Sequence, residues 1–321
     1  MNAMQRVLGW LADGGRRLRQ SSAVSPKAIM SAVLAPLGRG WATTLYEKDT
    51  GFHRIRVEET RERRYLYFDG TLQSSMDRHD PASLELLYSR FASLGLALRP
   101  DAAKTLFVGL GGGSMAKKYH QEFPAMEIDS IEIDPDVVDV ARRFFHFQED
   151  ARQRVHGGDG REFLARTGHR FDLILLDAYY ADNMPFHLIT REFFDTALSK
   201  LTPEGVLVIN LIGSLRGPDS TMVRAAIKTL SRVFPQLYTF PTFGNRGQVL
   251  NEIQNIVVLA SKVSDRMSIR EMERRATRLG RDLFPDPVSK IRRSYYSGPL
   301  EQDDVELLTD DDAPPDNLVR L

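Results

Sequence analysis

Short apolar segments alternate with helical segments over the middle of the chain, and this alternation restricts the possible folds more than any other feature. The helical segments include Pro135–Phe145 and Thr190–Leu201. Strands that alternate with helices form a mainly parallel sheet with helices on both faces. We therefore predict a doubly wound α/β domain, whose strands are Thr105–Val108, Ile128–Ile133, Phe171–Leu176, Gly205–Ile209 and Ile256–Ala260.

The 321 residues are enough for one such domain and a smaller appendage. Turns at Asp49-Thr50-Gly51 and Asp69-Gly70 separate segments rich in β-forming residues, and a helix over Pro81–Leu98 follows them. The predicted parts are a basic N-terminal arm (1–40), a small antiparallel β region (41–80), the α/β domain (81–265), and a C-terminal helix with an acidic surface tail (266–321).

The composition excludes several classes of function. The chain has 43 basic and 43 acidic residues, so no net charge favours binding to nucleic acid. It has no cysteine, which excludes disulfides and a cysteine zinc site and is compatible with a reducing cytoplasm. No apolar run reaches the length of about 18 residues that a membrane span needs. The histidines show no metal-ligand spacing. We therefore expect a cytoplasmic protein with no transmembrane segment and no metal.

A glycine-rich segment, Gly109-Leu110-Gly111-Gly112-Gly113-Ser114, follows the first strand and precedes a helix. Glycines allow the backbone to turn sharply and approach a ligand closely, and a helix start offers free amides. Glu132 ends the next strand, 23 residues after Gly109, where an acid can accept hydrogen bonds from both ribose hydroxyls. The alternatives are a plain tight turn for the glycines and a helix cap for the acids.

Two further acids follow strands in the same way. Asp159-Gly160 comes after the third strand position and is placed to meet an adenine ring, and Asp177 ends the fourth strand. Ligands of open α/β sheets bind outside the carboxyl ends of the strands, so these residues converge on one rim. A nicotinamide site is disfavoured because neither Met115 nor Ala116 is the glycine that its fingerprint requires.

The sequence resembles the spermidine synthase family, the aminopropyltransferases, from about Thr43 to Lys262. The resemblance rests on motifs at the predicted rim and in the β region. The matching segments are Tyr67 to Gln73 (L-D-G-x-x-Q in the family), Val108 to Ser114 (G-G-G-D-G-G), Ile131 to Asp134 (V-E-I-D), Gly158 to Gly160 (G-D-G), Asp177, and Leu201 to Val206 (L-x-x-x-G-V).

The resemblance implies a fold of the class I S-adenosylmethionine-dependent transferase type and a homodimer. It implies a co-substrate, decarboxylated S-adenosylmethionine or S-adenosylmethionine, with no permanently bound cofactor, and a small-molecule amine as acceptor. Asp177 falls on the catalytic aspartate. The implied donor contacts are Gly109, Gly111, Gly113, Glu132, Asp159, Gly160, Gln73 and His53, and the implied acceptor contacts are Tyr88, Tyr179, Tyr180 and Asp182.

The departures from the family pattern concern the donor tail and the acceptor. Gly112 stands where the glycine loop carries an aspartate, which would face the ammonium of the decarboxylated donor. Arg90 replaces a glutamate, and His53 stands where a glutamine is usual. Tyr180 occupies the position of a second aspartate, while Asp182 lies five residues after Asp177 instead of three. We therefore expect an acceptor other than putrescine, or one that is held differently.

Three functions remain open from the sequence. The first is an aminopropyltransferase in which Asp177 removes the proton of the attacking amine. The second is a methyltransferase on the same fold, which Gly112 would permit because it does not repel the carboxylate of intact S-adenosylmethionine. The third is a non-catalytic nucleoside-binding relative, in which Asp177 only caps a loop. Tyr179 and Tyr180 either shape the acceptor pocket or pack beneath the following loop.

Overall fold

The structure, a computed structural model, describes residues 42–180, 184–280, 283–284 and 289–314, with the backbone of 318–319. The predicted basic arm and the predicted acceptor contact Asp182 lie outside the described residues. In the part of the chain that is described, no helix combines the length and the apolar character needed to cross a membrane.

A four-stranded antiparallel sheet forms the N-terminal part, as the turn signals predict. Ile55 and Val57 alternate with more exposed residues and are fully buried on one face. The turn at Asp69 (φ 48°) and Gly70 (φ 82°) connects paired strands with Phe68 opposite Thr71, in the left-handed conformation that two-residue hairpins favour. The strands are β1 (Thr43–Asp49), β2 (Arg54–Glu59), β3 (Arg63–Phe68) and β4 (Thr71–Asp77).

A seven-stranded sheet forms the centre of the large domain, in the order β11-β12-β10-β8-β5-β6-β7. The strands from β10 to β7 pair in parallel, whereas β12 and β11 are antiparallel. This sheet confirms the predicted doubly wound fold. Its strands are β5 (Lys104–Val108), β6 (Glu127–Glu132), β7 (Gln153–Gly157), β8 (Phe171–Leu176), β10 (Leu201–Gly213), β11 (Gln236–Pro241) and β12 (Gln254–Ser261).

Helices cover both faces of this sheet, and several begin at the capping residue that the sequence offers. Asp134, Asp159, Thr190 and Ser268 each accept a backbone N–H in the first turn of the helix that follows. The helices are α1 (Leu87–Ala92), α2 (Gly95–Leu98), α3 (Ser114–Glu122), α4 (Pro135–Phe144), α5 (Gly160–Arg166), α6 (Arg191–Lys200), α7 (Thr221–Val233), α8 (Ile269–Leu279) and α9 (Ser289–Ser294).

The predicted helix over Pro81–Leu98 is wrong in its extent. The chain forms a turn in which the Ser83 amide donates to the Asp80 carbonyl, and α1 begins only at Leu87. Leu86 has an extended backbone (φ −85°, ψ 129°), so the helix cannot continue from α1 toward Pro81. The shorter α1 brings Tyr88 to the rim of the large sheet.

The two sheets are joined by a separate hydrophobic cluster. Ile55, Leu66 and Met76 of the small sheet pack against Val137 and Val140 of α4. Because α4 follows β6 directly, this contact places the small sheet over the carboxyl ends of the parallel strands.

Part of the predicted acidic tail packs on the domain. Val305 and Leu308 are buried, and the Leu308 amide donates to Thr229 Oγ1 at 3.0 Å. Further on, the short strand β13 (Leu318–Val319) pairs with β9 (Met184–Pro185), which follows the loop after Asp177. The C-terminal segment therefore supports the backbone beside the predicted acceptor end.

Candidate active site

A cavity of about 180 Å³ lies between the small sheet and the carboxyl ends of β5, β6, β8 and β10. Every predicted site residue that the structure describes lines this cavity. They are His53, Gln73, Tyr88, Gly109, Gly111, Gly113, Glu132, Asp159, Gly160, Asp177, Tyr179 and Tyr180. The structure thus brings together residues that are spread over more than a hundred positions, and their individual roles remain predictions.

The glycine loop is tightly enclosed. A Cβ atom at Gly109 (φ 96°) would lie 2.3 Å from the carbonyl oxygen of Asp177, and one at Gly113 (φ 67°) would lie 2.4 Å from the Phe147 ring. Both glycines are therefore required for the loop to pack, whatever the ligand. One consequence is that the loop backbone runs directly beside the end of β8, where Asp177 begins the next loop.

Gly112, which replaces the family's aspartate, faces Ser74 and Phe145. Its amide donates to Ser74 Oγ at 2.9 Å, and an added Cβ would lie 3.0 Å from Ser74 Cβ and from a ring carbon of Phe145. A side chain at this position requires its neighbours to move by a few tenths of an ångström, although the backbone there is unstrained.

Glu132 is buried and already accepts two backbone hydrogen bonds. The Leu110 amide donates to its Oε2 at 2.9 Å, and the Asp134 amide donates to its Oε1 at 3.1 Å. Burial raises the pKa of Glu132, and these amides act in the opposite direction. Each carboxylate oxygen keeps a second acceptor position, so Glu132 can still accept two ribose hydroxyls.

Asp159 has an unforeseen partner, His187. Its Oδ1 caps α5 by accepting from the Arg161 amide at 2.8 Å, and its Oδ2 lies 2.7 Å from His187 Nε2. Burial acts to raise the pKa of Asp159, but the hydrogen bond from His187 and the helix amides outweigh it, and the pKa is lowered. His187, to which the sequence analysis assigned no role in the site, lines the cavity beside Asp159.

Asp177 is held through both of its carboxylate oxygens. The Tyr88 hydroxyl donates to Oδ2 at 2.8 Å, and the Asn210 side-chain amide donates to Oδ1 at 2.8 Å. Burial, together with the nearby carboxylate, raises the pKa of Tyr88 well above its usual value, so Tyr88 stays a proton donor. The sequence identified Tyr88 as an acceptor contact and missed Asn210.

The two tyrosines after Asp177 have different surroundings. The Tyr179 hydroxyl donates to the backbone carbonyl of Asn210 at 2.6 Å, and burial raises the pKa of Tyr179. The Tyr180 ring stacks on Phe52 of the small sheet, with ring centroids 6.2 Å apart. Tyr179 therefore connects the loop after Asp177 to β10. Tyr180 connects the large domain to the N-terminal part of the chain through its contact with Phe52.

Arg90, which replaces a glutamate of the family pattern, does not line the cavity that the described residues form. Its Nε donates to the Leu84 carbonyl at 2.8 Å. Glu85, one turn earlier, lines the cavity and pairs with Arg63 at 2.8 Å. The cavity wall therefore includes a carboxylate that the sequence analysis overlooked, and the charge of that carboxylate is balanced by Arg63.

His53 lies at the opposite wall, with its ring stacked on Phe68 at a centroid distance of 3.7 Å. Nε2 is 3.3 Å from Asp134 Oδ2, and among the described residues neither ring nitrogen has a hydrogen-bond partner. Burial lowers the pKa of His53, although Asp134 acts against this. Both ring nitrogens are buried, so a hydrogen bond from His53 to a ligand in the cavity would require the ring to move.

The residues of this site match a known family. The family model of the spermine/spermidine synthase domain covers residues 86–253. A polyamine aminopropyltransferase of Vibrio vulnificus is 30% identical over 302 residues, which are 91% of this chain and 96% of that protein. The chain belongs to the spermine/spermidine synthase family. This membership confirms the predicted family and, with it, the predicted class of enzyme, a transferase.

Solved structures of this family and of a related class resemble the chain. A probable spermidine synthase from Corynebacterium glutamicum superposes with a TM-score of 0.66 at 18% identity, over 84% of this chain and 96% of that one. Human methyltransferase-like protein 13, solved in complex with SAH, gives a TM-score of 0.52 at 28% identity, over 62% of this chain and 92% of that one. Both confirm the predicted fold.

Proposed function

We propose that this chain transfers an aminopropyl group from decarboxylated S-adenosylmethionine to an amine. The amine nitrogen forms a bond to the donor carbon next to the sulfonium, the carbon–sulfur bond breaks, and its electron pair returns to sulfur to give neutral methylthioadenosine. The proton of the attacking amine passes to Asp177. The observation that carries the proposal is the Asp177 carboxylate, which lines the cavity and is fixed through both oxygens beside the glycine loop.

The nucleoside end of the cavity supports a donor of this class. Glu132 has free acceptor positions for both ribose hydroxyls, and Asp159 begins α5 beside backbone amides that can meet an adenine ring. Gly109, Gly111 and Gly113 let the loop pack tightly against its protein neighbours and line the cavity, where the donor is proposed to lie along the loop backbone. His53 and Gln73 are the proposed contacts from the small sheet.

The charge of the cavity supports an amine acceptor. Glu85 and Asp177 line its acceptor side, and among the residues that the structure describes no lysine or arginine lines it. The charge of Glu85 is balanced by its ion pair with Arg63, so the Asp177 carboxylate is the group proposed to attract a protonated amine and to take its proton. Tyr88, Tyr179, Tyr180 and Asp182 are the proposed acceptor contacts.

A second candidate, methyl transfer from intact S-adenosylmethionine, is favoured by one observation. Gly112 offers no carboxylate to the donor tail, and the tail end of the loop leads directly into the start of α3. A helix start attracts a carboxylate and not an ammonium. The human methyltransferase that resembles this chain carries SAH in its structure.

The two functions give different products, which one assay separates. Each donor is incubated with purified protein and a panel of primary amines, and mass spectrometry follows the nucleoside. Methylthioadenosine indicates aminopropyl transfer, whereas S-adenosylhomocysteine indicates methyl transfer. Asp177→Asn is the control for uncatalysed reaction. If wild-type protein binds either donor but forms neither product, the non-catalytic reading replaces both proposals.

A homodimer is also proposed, as the family resemblance implies, together with the cytoplasmic location that the lack of cysteine favours. The mass measured by light scattering should correspond to two chains over a tenfold range of concentration. A monomer mass throughout that range would contradict the dimer.

A further inference from the structure

Two buried asparagines stand behind Asp177. Asn210 lies on β10 and Asn255 on β12, and their relative exposures are 4% and 8%. In the antiparallel register of these strands, Ile212 pairs with Asn255, so Asn210 and Asn255 are diagonal neighbours on one face of the sheet. Both also line the cavity.

The hydrogen bonds form a chain that leads away from the carboxylate. Asn210 Nδ2 donates to Asp177 Oδ1 at 2.8 Å, and Asn255 Nδ2 donates to Asn210 Oδ1 at 3.0 Å. An ionised carboxylate only accepts hydrogen bonds, so the amino end of Asn210 must face Asp177. The carbonyl oxygen of Asn210 then faces Asn255 and accepts the hydrogen bond that the side-chain amide of Asn255 donates. The chemistry of one carboxylate therefore sets the orientation of both amides.

We propose that Asn255 is a positioning residue for Asp177 and acts through Asn210. The inference rests on the proposed function, because it assumes that Asp177 is the proton acceptor. Tyr88 holds Oδ2 from one side, and Asn210 holds Oδ1 from the other. Without Asn255, the Asn210 carbonyl oxygen loses the hydrogen bond that holds the amide in place behind Asp177, and the carboxylate plane can rotate. A base must be held to within about 0.5 Å and 10–20° of its productive position.

The decisive variant is Asn255→Asp, which changes the shape very little but reverses the hydrogen bond. A carboxylate at 255 can only accept, so Asn210 turns its amino end toward it and its carbonyl end toward Asp177. Asn255→Leu removes the same partner without adding a charge. Asn245→Asp makes the same atomic change in a loop residue that bonds to the Tyr295 carbonyl, and Asn245 does not line the cavity.

The first readout is turnover of decarboxylated S-adenosylmethionine with the best amine of the panel. We expect kcat to fall about 100-fold in Asn255→Asp, as for a displaced catalytic group, and by a smaller factor in Asn255→Leu. The dissociation constant of methylthioadenosine should stay within about twofold, and Asn245→Asp should match the wild type. A wild-type kcat in folded Asn255→Asp protein overturns the proposal.

The second readout needs no turnover. In protein labelled with ¹⁵N-asparagine, the side-chain NH₂ signals of Asn210 are identified by their loss in Asn210→Ser. They should shift in Asp177→Asn and in Asn255→Asp, and remain in place in Asn245→Asp. If these shifts occur but no amine reacts with the wild type, the proposed function fails while the hydrogen-bond chain stands. If the NH₂ signals of Asn210 do not shift in Asn255→Asp, the positioning role of Asn255 is refuted, whatever the activity of the variant.

Discussion

The proposed nucleoside end of the cavity, around Glu132, and the proposed acceptor end, around Asp177, are stabilised by different kinds of contact. At the nucleoside end, Glu132 ends a strand and is fixed by backbone amides such as that of Leu110. At the acceptor end, Asp177 is fixed by the side chains of Tyr88 and Asn210, which come from distant parts of the chain. Backbone contacts survive most substitutions, whereas side-chain contacts change with a single residue. The nucleoside end should therefore tolerate less variation in ligand, and the acceptor end should be the place where specificity diverges.

The largest expected effect on turnover comes from removing the carboxylate of Asp177 at the proposed acceptor end. Asp177→Asn keeps the shape and removes the base, so kcat should fall by roughly 10²–10⁴, the usual contribution of a positioned proton acceptor. Because the nucleoside end is built separately, methylthioadenosine should bind with nearly unchanged affinity, measured by calorimetry. Wild-type turnover in this variant would make Asp177 a structural residue, and a large loss of nucleoside affinity would show that the two ends are not separate.

The reciprocal change breaks the nucleoside end at Glu132. Glu132→Ala removes two charge-assisted hydrogen bonds to ribose, each contributing about 1.5–3 kcal/mol, so donor affinity should fall at least about tenfold. Calorimetry with methylthioadenosine measures the loss, and circular dichroism confirms that the variant is folded. Glu132→Gln is the control for shape, since it keeps the size but lacks the charge. Undiminished binding in folded Glu132→Ala protein would refute the ribose assignment.

The same contrast explains what the sequence could predict. Glu132 and Asp177 stand at the ends of predicted apolar strands, so the strand pattern placed them together. Asp159 follows β7, a polar strand that the sequence did not predict, and its place at the rim came from the Gly158-Asp159-Gly160 motif. Asn210 was not predicted as a site residue because the predicted strand ended at Ile209. In the structure, β10 continues to Gly213 through residues that pair with β12. Nothing local marks an asparagine as the partner of an aspartate 33 positions away.

Two further errors have the same physical origin. His187 contacts Asp159 because the chain returns to the cavity after the loop that follows Asp177. The hydrophobic periodicity of the sequence does not predict this change of direction. Arg90 replaces a glutamate in the family pattern, but its side chain turns to the Leu84 carbonyl. Side-chain direction depends on where α1 begins, which the sequence misjudged by several residues.

A smaller effect is expected on the choice of donor, which is proposed to depend on the residue at position 112. Gly112→Asp adds a carboxylate that attracts the ammonium of decarboxylated S-adenosylmethionine and repels the carboxylate of the intact donor. We expect the affinity ratio of the two donors to shift by about tenfold or more toward the decarboxylated form, since unit charges 4 Å apart interact by about 4 kcal/mol at an effective dielectric near 20. Competition with methylthioadenosine measures both affinities.

Gly112→Ala is the matched control for that change, because it introduces the Cβ that crowds Ser74 and Phe145 without the charge. It should weaken both donors equally. If the wild type already rejects intact S-adenosylmethionine strongly, or if alanine shifts the ratio as much as aspartate, the loop does not select the donor through charge.

The smallest effect is expected at His53, the one departure from the family pattern among the predicted contacts of the nucleoside end. Burial lowers its pKa below the ordinary value of 6.5, so between the lowered value and 6.5 the unfolded chain binds more protons than the folded one. Stability should therefore rise with pH through this window and fall as the medium becomes more acidic.

The variant His53→Gln tests this pH dependence, because it supplies a neutral amide at every pH. Its melting temperature should lose that part of the dependence between about pH 5 and 7. Methylthioadenosine affinity at pH 8, where both side chains are neutral, should change by no more than a few-fold, because the ribose contacts of Glu132 remain. The exposed His79 provides the control, since His79→Gln should leave the pH dependence intact. Equal pH profiles for wild type and His53→Gln would mean that the pKa of His53 is the same in the folded and unfolded chain. A wild-type stability that falls as pH rises through 6.5 would instead mean that Asp134 raises this pKa.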